Sequence, residues 1–184
     1  MANISLLTFI FLSFATLDVQ GQCDYEYRKI DPLTNKTEFK TELKRIVGVT
    51  HLKGVAKIAY CKAAFAKSSR GEELTLEVKY TNTYKQSMLF QTNVDSLSVK
   101  FDDGSICALQ LTVVPSSVIL SSQVKTTVTW TLSYALTERF KEIARAGRKV
   151  VFMRIRTSKF NTDIDTMDED LGAIFRECWQ EDAK

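Results

Sequence analysis

Apolar and polar side chains alternate at every second position through the middle of the chain. Leu74, Leu76, Val78 and Tyr80 alternate with Thr75, Glu77 and Lys79, while Val124, Val128, Trp130, Leu132 and Tyr134 share a face opposite Lys125, Thr127, Thr129, Thr131 and Ser133. Successive side chains of a strand point to opposite faces, so this period marks sheets with one buried and one wet face, the habit of antiparallel sheets. Leu97, Val99 and Phe101, then Asp102-Asp103-Gly104-Ser105, then Ile106 to Val114 predict a hairpin, because Asp and Gly supply the dihedrals of a tight turn. Upstream, Tyr25 to Ile30 and Glu38 to Val47 read as strands joined by a turn at Asp31-Pro32-Leu33-Thr34-Asn35-Lys36, although Phe39, Leu43 and Ile46 also fit helical spacing. Ala56 to Ala66 is Ala-rich, but Ile58 and Tyr60 beside Cys61 fit a strand buried on both faces.

Two helices break the pattern. The first takes Thr137 as its N-cap, carries Glu138 in its first turn, continues through Phe140, Ile143 and Ala144, and stops at Gly147. It is short, which suits a crossover between sheets, and Lys149 to Thr157 follows as another strand. The last helix, Asp168 to about Glu181, places Met167, Leu171, Ile174, Phe175, Cys178 and Trp179 on one stripe that must bury against the sheets. The fold expected is an antiparallel β-sandwich, immunoglobulin-like in size and strand number, with one short inserted helix and a C-terminal helix.

The chain has 184 residues, 45% apolar and 26% charged, with a formal charge of +3, which excludes disorder, collagen and multi-span membrane proteins. Ile4 to Ala15 is an uncharged apolar run too short for the ~20 residues of a membrane span. Small residues at Val19 and Gly21 then predict a signal peptide over 1–21, leaving a single domain over 22–184 with no transmembrane segment. Cys23 invites a lipoprotein reading, which Gly21-Gln22 fits poorly. There is no repeat, low-complexity linker or composition break in the remainder.

Cys23, Cys61, Cys107 and Cys178 all lie after the leader, an even number suited to an oxidising compartment. Pairing Cys23 with Cys178 ties the two ends together and leaves Cys61 and Cys107 as an inter-strand bridge or as buried thiols. None belongs to a C-x-x-C pair, so neither zinc nor thioredoxin-like chemistry is indicated.

The single histidine, His51, sits in a Gly-bounded segment predicted to be a loop and argues against Ser-His-Asp or Cys-His hydrolysis. No nucleotide-binding glycine motif is present, and no cofactor is expected. Asp163, Asp165, Asp168, Glu169 and Asp170 are the only carboxylate cluster to consider for a hard cation, but they lack the calcium-loop pattern and suit the dipole of a helix N-terminus. Asn35-Lys36-Thr37 is an N-glycosylation sequon, relevant in a eukaryote.

Charge is sorted along the chain. Arg139, Lys141, Arg145, Arg148, Lys149, Arg154, Arg156 and Lys159 precede an acidic stretch from Asp163 to Asp182. Arg145, Arg148, Lys149, Arg154 and Arg156 are candidate contacts to an anionic surface. The competing reading pairs Arg154 and Arg156 with Asp163 and Asp165 across neighbouring strands. Nucleic acid is not an expected partner of an exported chain so nearly balanced in charge.

Cys23-Asp24-Tyr25 and Asp31-Pro32-Leu33-Thr34-Asn35-Lys36 near the start, with Tyr134-Ala135-Leu136-Thr137, Met153-Arg154-Ile155-Arg156-Thr157-Ser158 and the closing amphipathic helix, resemble exported bacterial proteins of uncharacterised activity and about this length. The resemblance implies a β-rich periplasmic or secreted domain. The function expected is a non-catalytic binding or interaction domain whose partner is a protein or envelope component. The alternatives are a peripheral envelope protein held by the basic segment and a metal-dependent protein built on the 163–170 carboxylates.

Overall fold

Rows of apolar side chains running across neighbouring strands organise the structure, a computed structural model that describes residues 23–47, 50–51, 57–82, 94–121, 126–158, 161–164 and 169–180. The described strands are β1 (Tyr25–Ile30), β2 (Thr37–Thr41), β3 (Lys44–Val47), β4 (Thr50–His51), β5 (Lys57–Ser68), β6 (Gly71–Asn82), β7 (Val94–Phe101), β8 (Ile106–Gln110), β9 (Ser116–Ser121), β10 (Thr126–Ala135), β11 (Val150–Thr157) and β12 (Asn161–Ile164). Two helices, α1 (Glu138–Arg145) and α2 (Leu171–Gln180), complete a mainly β architecture. The expected leader over 1–21, Lys159, Asp165, Met167 and Asp168 lie outside the described residues.

The strands form two antiparallel sheets. One has eight strands in the order β1-β2-β5-β6-β10-β9, with β3 and β4 also on β5; the other has four in the order β12-β11-β7-β8. In the larger sheet Phe65, Leu74 and Tyr134 stand side by side, as do Ala63, Leu76 and Leu132, and Cys61, Val78 and Trp130. All nine are buried, so the period-two pattern converts directly into one apolar face. Twelve strands among the described residues exceed the about seven to nine of an immunoglobulin-type domain.

Four expectations change. Glu38 to Val47 is not one strand but two, β2 and β3, which run in succession along β5. At the break the Phe65 amide donates to the Thr41 hydroxyl (2.9 Å) and the Glu42 amide donates to the Asp24 carbonyl (2.8 Å), so the ladder is locally replaced. His51 lies on a short strand, β4, opposite Lys57, rather than in a loop. The strand after the Asp102–Ser105 turn ends at Gln110 instead of Val114. Finally, α2 begins at Leu171 rather than Asp168, with the Asp170 carboxylate accepting from the Gly172 amide (2.9 Å) in the manner of a cap.

Helix α1 follows the expected caps: the Phe140 amide donates to Thr137 Oγ1 (3.2 Å), and Gly147 adopts φ +85° just past the end. It carries the chain from β10 in one sheet to β11 in the other. Both sheets and both helices contribute to one apolar cluster. Tyr80, in the larger sheet, donates to Thr162 Oγ1 in the smaller one (3.3 Å). Phe175 and Trp179 of α2 pack with Phe39, Phe65 and Phe140. Cys178 of the same helix is disulfide-bonded to Cys23, and the Tyr25 hydroxyl donates to the Cys178 carbonyl (3.3 Å).

Candidate interaction surface

Residues 104–124 contain no Asp, Glu, Lys, Arg or His, a run of 21 in a chain that is 26% charged. This stretch supplies one edge strand of each sheet: β8 borders the smaller one and β9 the larger. Between them the chain passes from sheet to sheet along β10. Leu111 bridges Tyr134, and the Thr112 amide and hydroxyl both donate to the Ser133 carbonyl (2.9 and 3.2 Å). Val113 and Val114 then bulge into solvent, 56% and 90% exposed, before Pro115 leads into β9.

β9 pairs with β10 from Ser116 opposite Thr131 to Ser121 opposite Thr126. Residues directly opposite share a face, so Ile119 extends the core-side row of Val128, while Val118 and Leu120 lie with Thr129 and Thr127 on the outer face. Every β9 residue is exposed, including Val118 (61%), Ile119 (54%) and Leu120 (66%). Among the described residues β10 is its only strand neighbour and no strand pairs with its other side, the kind of edge that offers backbone donors and acceptors to a partner.

Such edges are normally guarded by charge, brevity or bulges. The opposite edge, β1, follows that rule with Glu26, Arg28 and Lys29, two of which form ion pairs with Lys40 and Glu38 of β2. The four-residue β12 carries Asp163. β9 has none of these devices apart from the proline before it.

Two of the basic residues, Arg148 and Arg154, are engaged with acids, and Arg145, Lys149 and Arg156 are exposed. Arg154 opposes Asp163 across β11 and β12 and grips it with Nε and Nη2 at 2.6 and 2.7 Å. That guanidinium holds the Asp163 carboxyl below its ordinary range. Arg156 opposes Asn161 rather than an acid and is exposed. Arg148 reaches Asp103 at 3.5 Å. Arg145 and Lys149 are exposed near the end of α1, with the strand β11 separating Lys149 from Arg156.

Of the carboxylates, Asp163 and Asp170 are engaged, and Glu169 is exposed. Asp170 accepts from the Gly172 and Val150 amides and lies 3.5 Å from Arg176. Among the described residues no group of three or more His, Cys, Asp or Glu is placed to hold a metal ion. Asn35 of the sequon is exposed in its turn with φ +53°.

A cleft of about 660 Å³ beside the β5–β6 turn is lined by Ser68, Glu72, Glu138 and Lys141 among others. Lys141 Nζ binds Glu72 (2.6 Å) and Glu138, and Trp179 Nε1 donates to Glu72 (3.1 Å). Burial pushes the Glu72 carboxyl up, but the Lys141 and Trp179 hydrogen bonds outweigh it and hold the group below its ordinary value. Burial likewise lowers Lys141, and its bonds to Glu138 and Glu72 reverse the direction. Acid and base are therefore each fixed in the charged form, away from the near-neutral range that proton transfer requires. The cluster joins α1, β6 and α2 and offers no positive sign of catalysis.

Cys61 and Cys107 are free, buried thiols on β5 and β8. Burial, reinforced by Glu77, pushes Cys61 up to about 12, and burial also raises Cys107, so neither is a ready nucleophile.

Periodicity is silent over 116–121, because S-S-V-I-L-S has no alternation. The signals that mark it are the apolar triplet bounded by Ser, the preceding Pro115, and the 21-residue absence of charge. Compared with known proteins, the chain matches no family model, no curated protein and no solved structure. Among the described residues no helix is long and apolar enough to cross a membrane.

Proposed function

We propose that this chain is an exported, non-catalytic interaction domain arranged as a β-sandwich, and that β9 is the element through which it binds. The observation that carries the reading is the exposed, uncharged and backbone-open edge of the larger sheet at Ser116–Ser121. An extended partner strand laid along such an edge gains main-chain hydrogen bonds, while Val118, Ile119 and Leu120 supply apolar contacts on both faces. The shared apolar cluster between the two sheets supports the sandwich arrangement. The Cys23–Cys178 disulfide fits an oxidising compartment, which, with the apolar run Ile4 to Ala15, supports export to a periplasmic or secreted location like that of the bacterial proteins the chain resembles.

A photo-crosslinking residue in place of Val118, in protein exported by its native host, tests this reading. Adducts form at position 118 and not at Thr75, which lies on the outer face within the same sheet. No adduct at 118 overturns it.

A further inference from the structure

The edge strand is complementary to itself, and this decides what kind of strand it best accepts. Two antiparallel copies of β9 are related by a two-fold axis normal to the sheet, which keeps each face continuous across the junction. Residues directly opposite must then share a face, so the axis passes through a residue position. Centring it on Ile119 sets Ile119 against Ile119 of the partner subunit and Val118 against the partner subunit's Leu120, with Ser117 facing Ser121 of the partner subunit. Moving the centre to Val118 sets Ile119 and Leu120 against serines, and moving it to Leu120 sets Val118 and Ile119 against serines. One register therefore matches every apolar side chain with another.

We propose that the protein forms a homodimer in which β9 pairs with β9 of a second copy in this Ile119-centred register, joining two eight-stranded sheets edge to edge. This rests on the reading of β9 as the binding element and names its partner. Charge is compatible, because no ionised group lies between residues 104 and 124 to oppose its own copy across the axis. The contact is that of strand addition: main-chain hydrogen bonds along the two edges, with exposed Val118, Ile119 and Leu120 alongside them. The assembly closes at two, because the far edge of the same sheet, β1, carries Glu26, Arg28 and Lys29 and is unsuited to continuing an apolar ladder.

Sedimentation of the purified, disulfide-bonded protein, with designed variants, tests the register as well as the stoichiometry. The native chain sediments as a dimer. Ile119→Lys sets two ammonium groups against each other on the axis and weakens association by roughly 100-fold or more, with an unchanged circular dichroism spectrum. Val118→Lys with Leu120→Glu retains the dimer through crossed ion pairs, whereas Val118→Lys with Leu120→Lys is monomeric. Ile119→Cys crosslinks to itself under mild oxidation, since opposite antiparallel Cα atoms about 4.5–5.5 Å apart are within disulfide reach. Val118→Cys, facing Leu120, does not. A native protein that is monomeric at all concentrations overturns the proposal, as does a dimer indifferent to Ile119→Lys or equal crosslinking of the two cysteine variants. A monomer whose position 118 still crosslinks to a different protein overturns the dimer but leaves β9 as the binding element, whereas a monomer without adducts removes both.

Discussion

Tyr134 and Glu72 show how differently two enclosed polar groups are treated. The Tyr134 hydroxyl is buried with no hydrogen-bond partner among the described residues, while the Glu72 carboxylate receives donors from Lys141 and Trp179. An unsatisfied buried hydroxyl is a liability, so Tyr134→Phe should raise stability by about 1 kcal/mol in urea denaturation. A loss instead would mean that the hydroxyl has a stabilising role. Glu72→Gln, which forfeits a charge-assisted bond, should lower stability by about 2 kcal/mol at neutral pH. Its folded-state carboxyl lies below the ordinary 4.5, so the contribution is complete above that value and disappears as pH falls through the folded value. The gap between native protein and Glu72→Gln should therefore close as the solution is acidified below 4.5. A gap independent of pH contradicts the assignment. Neither residue stands out in the sequence: Tyr134 reads as an ordinary inward position, and half-buried Glu72 meets Lys141 and Trp179 only through long-range packing.

Elements with local signals were legible, and those shaped by tertiary contacts were not. The caps of α1 and the Asp-Gly turn after β7 depend on nearby residues, so Thr137, Gly104 and Gly147 announce them. The break between β2 and β3 depends on the Phe65 amide, 24 residues from Thr41, and has no local mark. The start of α2 was shifted because Asp170 caps Gly172 while also accepting from Val150 of β11. α2 is tied to the segment before β1 through Cys23–Cys178, a loop closure over 155 residues worth about 5 kcal/mol in the chain-entropy account. The close seat of this helix makes a prediction at Gly172. Helix propensity alone favours Ala there by about 1 kcal/mol. A Cβ, however, would stand 2.7 Å from the Arg148 carbonyl oxygen, a backbone atom that cannot swing aside. Gly172→Ala should consequently lower the melting temperature, and an increase would show that α2 is seated less tightly.

At the scale of the whole molecule, guarded and unguarded edges are divided between the two ends of the larger sheet. The charged β1 is of the kind that resists further pairing, whereas β9 leaves Val118, Ile119 and Leu120 exposed and uncharged. The buried faces were readable from period two, and the internal pairing of Arg154 with Asp163 was one of two readings open from charge order. β9 was not readable from periodicity, because an edge exposed on both faces has no reason to alternate. The proposed binding edge thus lies in the stretch that carries no alternation and is marked instead by its absence of charge. Residue-resolved amide exchange over 116–121, compared in dilute and concentrated solution, tests this most directly. Pairing predicts that the outward-pointing β9 amides gain protection with concentration while those of β5 and β6 do not change. Equally fast exchange of the β9 amides under both conditions would contradict it.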